Sequence, residues 1–150
     1  MKTLRSYAIG FAALLVALLA TPSLAQVPAP GPIDGLWASV NTPEARSMLN
    51  GARGFEELVL IETSLATREI FSGYGFLPTP SVILSTSPII KYETTYTDAT
   101  FGTLKVEGTV AASLTSVTGR MTWTRKDGTI WTYNFSMNKI GPGATPPMGS

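Results

Sequence analysis

The sequence predicts an all-β domain, an antiparallel eight-stranded up-and-down barrel, with a β-sandwich as the alternative. Thr, Val, Ile, Tyr, Phe and Trp are dense in the middle of the chain, and Gly or Pro interrupts them at short intervals. Long helical patterns do not alternate with these segments, which disfavours a parallel sheet. Strands are expected at 35–40, 56–63, 65–72, 82–85, 89–98, 103–111, 114–126 and 129–140.

The first 25 residues have the features of a signal peptide. Lys2 and Arg5 precede an apolar run over residues 9–20, and Ser23-Leu24-Ala25 provides small residues for cleavage after Ala25. The apolar run of about 12 residues is shorter than the roughly 20 that a membrane-spanning helix needs. We therefore expect a secreted or periplasmic protein that does not span the membrane after cleavage.

Composition excludes several classes of chemistry. The chain has no Cys and no His, so it forms no disulfide, thiolate nucleophile, Cys or His metal site, or Ser-His-Asp triad. The formal net charge of +1 becomes −1 once Lys2 and Arg5 are removed, which disfavours nucleic acid as a partner. We expect no metal, no cofactor and no assigned catalytic residue, and the sequence identifies no protein partner.

The two ends of the mature chain differ in composition from its middle. Residues 26–33 form a flexible Pro-rich linker, and residues 141–150 form a disordered tail rich in Gly and Pro. The barrel domain is therefore expected at 34–140. A transmembrane barrel is disfavoured, because the strand at 65–72 carries Arg68 and Glu69 and the strand at 82–85 is short.

One short helix is expected at 43–50, between the first two strands. Thr42 is suited to cap it, Pro43 to its first position and Glu44 to its first turn, and Gly51 follows as a stop. Two roles remain open for it. The helix is either a lid over the barrel mouth or a connection that plugs one end of the core.

A hairpin is expected around Lys126-Asp127-Gly128-Thr129, because Asp-Gly tolerates the positive φ angles of a type I′ turn. A two-residue turn places Lys126 opposite Thr129 and makes Phe135 face Arg120. Trp131, Tyr133 and Phe135 then form an aromatic column beside threonines. This face is either a plain core face, with Arg120 lying over Phe135, or the wall of a cavity.

The cavity interpretation defines a set of candidate ligand-binding residues. It joins the hairpin side chains to two tyrosines that share one face of the strand at 89–98. The candidates are Arg120, Trp123, Trp131, Tyr133, Phe135, Tyr92 and Tyr96.

Gly35-Leu36-Trp37 opens the first strand and resembles the Gly-x-Trp signature of the calycins, which include lipocalins and avidin-like proteins. The resemblance implies an eight-stranded barrel with Trp37 packed at its closed end. It also implies a basic side chain across that tryptophan, with Lys139 as the first candidate and Arg125 as the second. A ligand-holding barrel follows from the resemblance, but no particular ligand does.

Three functions remain open. The first is binding of a small amphipathic or apolar molecule in an aromatic-lined cavity. The second is a structural or interaction module of the envelope with a solid core. The third is a cyclase- or isomerase-like enzyme, which requires a carboxylate inside the barrel. Glu56 and Glu57 are adjacent on one strand and therefore point to opposite faces, which is poor geometry for a shared acid–base site.

Overall fold

A computed structural model describes residues 31–142 as a closed antiparallel barrel of eight strands, each paired with its neighbours in chain order. The predicted fold class is confirmed. The predicted signal peptide, linker residues 26–30 and tail residues 143–150 lie outside the described residues. The elements are β1 Gly35–Pro43, α1 Ala45–Leu49, β2 Phe55–Glu62, β3 Leu65–Arg68, α2 Glu69–Ser72, β4 Thr79–Ser85, β5 Lys91–Asp98, β6 Gly102–Val110, β7 Ser116–Thr124 and β8 Ile130–Gly141.

Residues just outside 34–140 also contact the barrel. Ile33, placed in the linker by the sequence, is fully buried, and its carbonyl accepts a 3.0 Å hydrogen bond from Trp37 Nε1. At the other end, Gly141 belongs to β8 and pairs with Leu36 of β1. Both Ile33 and Gly141 lie at the end of the barrel where the first strand begins.

Alternation of side chains along each strand builds the core. In β6, Leu104, Val106 and Val110 are buried, whereas Glu107 between them is exposed. This two-residue period puts one set of side chains inside the barrel and the other in solvent. The buried apolar residues of all the strands form one continuous cluster.

The barrel closes through β1, where Ala38 pairs with Leu58 of β2 and with Asn138 of β8. β4 pairs with β3 through Thr79 and Pro80 and with β5 through Ser81 to Ser85. The β3–β4 pairing is the shortest, with only Leu65↔Pro80 and Ala66↔Thr79 in register. After Arg68, the last residue of β3, the chain leaves the sheet and forms α2.

The β7–β8 hairpin differs from its prediction by one residue. Thr124 pairs with Ile130 and Trp123 with Trp131, because Lys126, Asp127 and Gly128 form a three-residue loop. Gly128 has φ +84° and donates a 3.0 Å hydrogen bond to the Arg125 carbonyl, as in loops built on a type I turn. The predicted two-residue turn and the predicted facing of Arg120 and Phe135 are wrong.

The two helices begin at residues other than those expected from the sequence. α1 begins at Ala45, because β1 continues through Pro43, which pairs with Tyr133, and Glu44 N donates to Thr132 O at 2.9 Å. The predicted strand at 65–72 ends at Arg68, and its second half is α2. Within residues 31–142, no helix is long and apolar enough to cross a membrane.

Candidate functional site

The end of the barrel at which β1 begins is closed by Trp37. Its ring is fully buried, and Lys139 Nζ lies 5.5 Å from the ring centroid. Gly35 leaves room for this contact, because a Cβ atom there would collide with the Lys139 side chain. Trp37 and Lys139 thus form a cation–π pair where the sequence expected one, on β1 and β8.

The middle of the barrel contains a buried polar cluster of Ser39, Asn41, Glu57 and Arg68. Arg68 Nε donates to Glu57 Oε1 at 2.8 Å, and Arg68 Nη2 donates to the same oxygen and to Asn41 Oδ1 at 3.0 Å. Asn41 Nδ2 adds a 3.2 Å hydrogen bond to Glu57 Oε1. The Glu57 and Arg68 side chains are 0% and 2% exposed, so this ion pair is shielded from solvent.

The two oxygens of Glu57 are satisfied unequally. Three donor atoms converge on Oε1, whereas Oε2 is buried without a hydrogen-bond partner. Burial raises the pKa of Glu57, and Arg68, the Ile70 amide and Asn41 act in the opposite direction. This carboxyl is inside the barrel, as the enzyme hypothesis requires, but it is engaged by an arginine and lies among packed side chains.

Two predicted aromatic residues surround this polar cluster instead of lining a cleft. Phe135 has the Arg68 guanidinium 5.5 Å from its ring centroid. Tyr92 packs against Gly108 of β6, and Phe135 packs against Gly119 of β7, where an added Cβ would collide with each ring. Burial raises the pKa of Tyr92 to about 12. The interior at this level is filled by these rings.

A cluster of aromatic rings closes the opposite end, where β2, β6 and β8 begin. Phe71 of α2 lies 5.7 Å from Phe55 on β2 and 5.2 Å from Trp123 on β7, measured between ring centroids. Since β2 and β7 lie on nearly opposite sides of the barrel, Phe71 spans its mouth. Phe76 continues the cluster to Tyr96, at 6.4 Å. The short helix α2, not α1, supplies this plug.

A cleft of about 250 Å³, here called the mouth cleft, opens over this cluster. Trp131 forms part of its wall, with its Nε1 hydrogen-bonded to Asn50 O at 3.0 Å, and its ring packs edge-on against Trp123 at 5.6 Å. Tyr74 is 41% exposed. The cleft is lined by Gly51, Arg53, Gly54, Phe55, Ile70, Phe71, Tyr74, Trp123, Trp131 and Tyr133.

The predicted site residues separate into three groups. Trp123, Trp131 and Tyr133 meet in the mouth cleft, whereas Phe135, Tyr92 and Tyr96 are buried deeper. Arg120 lies on the outer face, with its side chain 56% exposed and Nη2 3.0 Å from Glu44 Oε1. The one-residue change in hairpin register accounts for this, because such a shift exchanges the two faces of a strand.

Several residues of the site were missed by the sequence reasoning. Phe71 lies within the predicted strand at 65–72 and Tyr74 follows it, so their convergence on the barrel mouth was not predicted. Phe55 and Glu57 were detectable, since they share a two-residue period with the buried Val59 and Ile61. Arg53 carries no sequence signal beyond its charge.

A wider polar groove of about 680 Å³ lies outside the barrel, between α1 and the β7–β8 hairpin. Its lining includes Arg46, Asn50 and the Glu44–Arg120 ion pair. Ser47 of α1 lies at the base of this groove, and its Oγ accepts a 2.7 Å hydrogen bond from the Thr132 amide. The groove contains few apolar side chains and is distinct from the mouth cleft.

Comparisons of the chain with models of protein families, with curated proteins and with solved structures found no match.

Proposed function

We propose that this protein binds a small aromatic or amphipathic molecule in the mouth cleft. The observation that carries the proposal is the solvent-open cleft walled by Trp131, Tyr133 and Tyr74 at one end of a closed barrel. Apolar concave sites with a few polar groups are the usual form of small-molecule sites. A volume of about 250 Å³ suits a ligand with one or two rings.

The packing in the middle of the barrel favours a ligand site in the mouth cleft over one in a deep central cavity. Tyr92, Phe135 and the Arg68–Glu57 pair occupy that level, and the plug residue Phe71 separates them from the mouth. A ligand therefore reaches exposed aromatic surface at the mouth without displacing the buried ion pair.

The proposal extends to lineage and location. A calycin-type relationship is supported by the closed eight-stranded barrel and by Lys139 lying over Trp37 beside Gly35. Export with cleavage after Ala25 is supported by Lys2, Arg5 and the apolar run that follows them. In this proposal the protein is an exported binding protein of the periplasm or the exterior.

The test uses the three tryptophan indole N–H resonances of the ¹⁵N-labelled mature chain. Titration with indole, 2-naphthol and octanoate should shift the Trp123 and Trp131 signals for at least one compound. Trp37 lies at the opposite end of the barrel and serves as an internal reference. Equal shifts of all three signals, or no shift with any compound, would contradict the proposal.

A pair of variants locates the bound molecule. Tyr74→Ala removes a wall of the cleft and should weaken binding several-fold. Leu77→Ala is its control, because Leu77 is 74% exposed in the same connection but does not line the cleft. Equal effects of the two substitutions would place the ligand elsewhere.

A further inference from the structure

The lining of the mouth cleft contains one charged residue, and that residue is an arginine. It is Arg53, and its side chain is exposed. Within residues 31–142, Arg53 makes no ion pair and no side-chain hydrogen bond. Its guanidinium is therefore free to meet a ligand group.

A second guanidinium, that of Arg125, stacks on Trp131 of the cleft wall but lines a neighbouring pocket with Lys126 and Asp127. The Arg125 Cζ atom is 4.4 Å from the Trp131 ring centroid and 5.8 Å from that of Trp123. Stacking of this kind orients a guanidinium while leaving its N–H donors available. The nearest carboxylate contact is Asp127 Oδ2, at 4.0 Å from Arg125 Nη1, which is beyond hydrogen-bond distance.

Three other cations of the described barrel contact carboxylates more closely than these two, whereas Arg46 of the outer groove, like Arg53, forms no ion pair. Arg68, Lys105 and Arg120 each contact a carboxylate oxygen at 3.2 Å or closer. The aromatic mouth is thus bordered by one guanidinium without a carboxylate and another held mainly by an aromatic ring. Such an arrangement matches an anion attached to an apolar ring, because arginine binds carboxylate through two parallel hydrogen bonds.

We infer that the ligand of the mouth cleft is an aromatic carboxylic acid, an inference that rests on the proposed function. Its ring lies against Trp131 and Tyr74, its carboxylate accepts hydrogen bonds from Arg53, and the nearby Arg125 guanidinium adds positive potential behind Trp131. The aromatic wall supplies affinity for the ring. The two guanidiniums select the anion over neutral and cationic analogues of the same shape.

The test compares phenylacetate, phenylacetamide and phenethylamine as probes of matched size. At low ionic strength, phenylacetate should bind the mature chain about tenfold more tightly than phenylacetamide, because charge-assisted hydrogen bonds exceed neutral ones. Phenethylamine should bind most weakly. Raising the salt concentration to about 0.5 M should reduce the preference for the acid, since exposed charges are then screened.

Three variants test whether Arg53 and Arg125 cause the preference for the acid. Arg53→Gln and Arg125→Gln should each lower phenylacetate affinity and leave phenylacetamide affinity largely unchanged. Arg46→Gln is the matched control, because Arg46 is exposed, forms no ion pair within the described residues and lines the outer groove instead. A thermal melt of each variant verifies that the barrel is intact.

Failure of the inference and failure of the proposed function give different results. Equal affinity for acid and amide, with the Trp131 indole signal shifting in both cases, overturns the anion inference and retains the mouth cleft as a binding site. Tighter binding of phenethylamine than of phenylacetate would likewise overturn the anion inference and retain the binding site. If none of the three probes shifts Trp131, and the wider panel also fails, both are overturned.

Discussion

At the scale of single residues, the Glu57–Arg68 pair is the least expected feature of the barrel. Ionised side chains are rarely buried, and burying two charges costs several kcal/mol that their attraction does not always recover. Here Asn41 and Ser39 add hydrogen-bonding groups around Arg68, while Glu57 Oε2 has no partner. We therefore expect the pair to fix the positions of the surrounding side chains more than it adds stability.

We predict that Glu57→Gln destabilises the protein by about 3–5 kcal/mol, because it leaves the buried Arg68 charge without its carboxylate. The double variant Glu57→Gln/Arg68→Met should recover most of that loss, since it removes the second charge as well. Urea unfolding followed by circular dichroism measures both free energies.

The control for this pair is Glu56→Gln, one residue along β2 on the outer face, which should change stability by no more than about 0.5 kcal/mol. A double variant as unstable as the single Glu57→Gln variant would show that the ion pair stabilises the barrel beyond the cost of burying it.

At the scale of elements, the β7–β8 hairpin determines which side chains reach the mouth. Its three-residue loop places Trp123 opposite Trp131, so both tryptophans point inward and Arg120 points outward. Gly128 makes this loop possible, because φ +84° is unfavourable for residues with a Cβ atom. The composition of the site therefore depends on one backbone conformation in a turn.

We predict that Gly128→Ala destabilises the protein by about 1–2 kcal/mol through backbone strain. No heavy atom lies within 4 Å of an added Cβ at this position, so collision does not contribute. Gly73→Ala is the control, because Gly73 has φ −63° and should tolerate alanine with little change. Thermal unfolding of the two variants measures the difference, and equal destabilisation would contradict the strain argument.

How far these elements could be predicted depends on how far apart along the chain the interacting residues lie. Strand number was predictable, because side-chain alternation is a local pattern, whereas the Trp37–Lys139 contact was implied only by the resemblance of Gly35-Leu36-Trp37 to calycins. The hairpin register was not predictable, since Asp127-Gly128 suits both two- and three-residue loops. The burial of Arg68 was not predicted, because its partner Glu57 is 11 residues away and depends on the register of the β2–β3 pairing.

At the scale of the whole molecule, the barrel is unevenly held together. β7 and β8 pair continuously from Ser116↔Asn138 to Thr124↔Ile130, whereas β3 and β4 share two pairs and a 2.7 Å hydrogen bond from Ser81 N to Ser64 O. α2 and the chain that follows it interrupt this seam and carry Phe71 into the mouth. α2, which contributes the plug residue Phe71, is thus attached to the β3–β4 pairing, the least extensive in the barrel.

We predict that the barrel opens locally at this seam before it unfolds globally. Hydrogen exchange should give a lower opening free energy for the amides of Tyr74, Phe76 and Ser81 than for the hydrogen-bonded amides of β7 and β8, because fewer ladder contacts must be broken. A ligand that shifts the Trp131 indole signal should slow exchange at Tyr74 and Phe76, since it packs against the plug in its closed position. Exchange measured against denaturant concentration distinguishes local from global opening, and a single opening free energy for all these amides would show that α2 and the seam unfold only with the entire barrel.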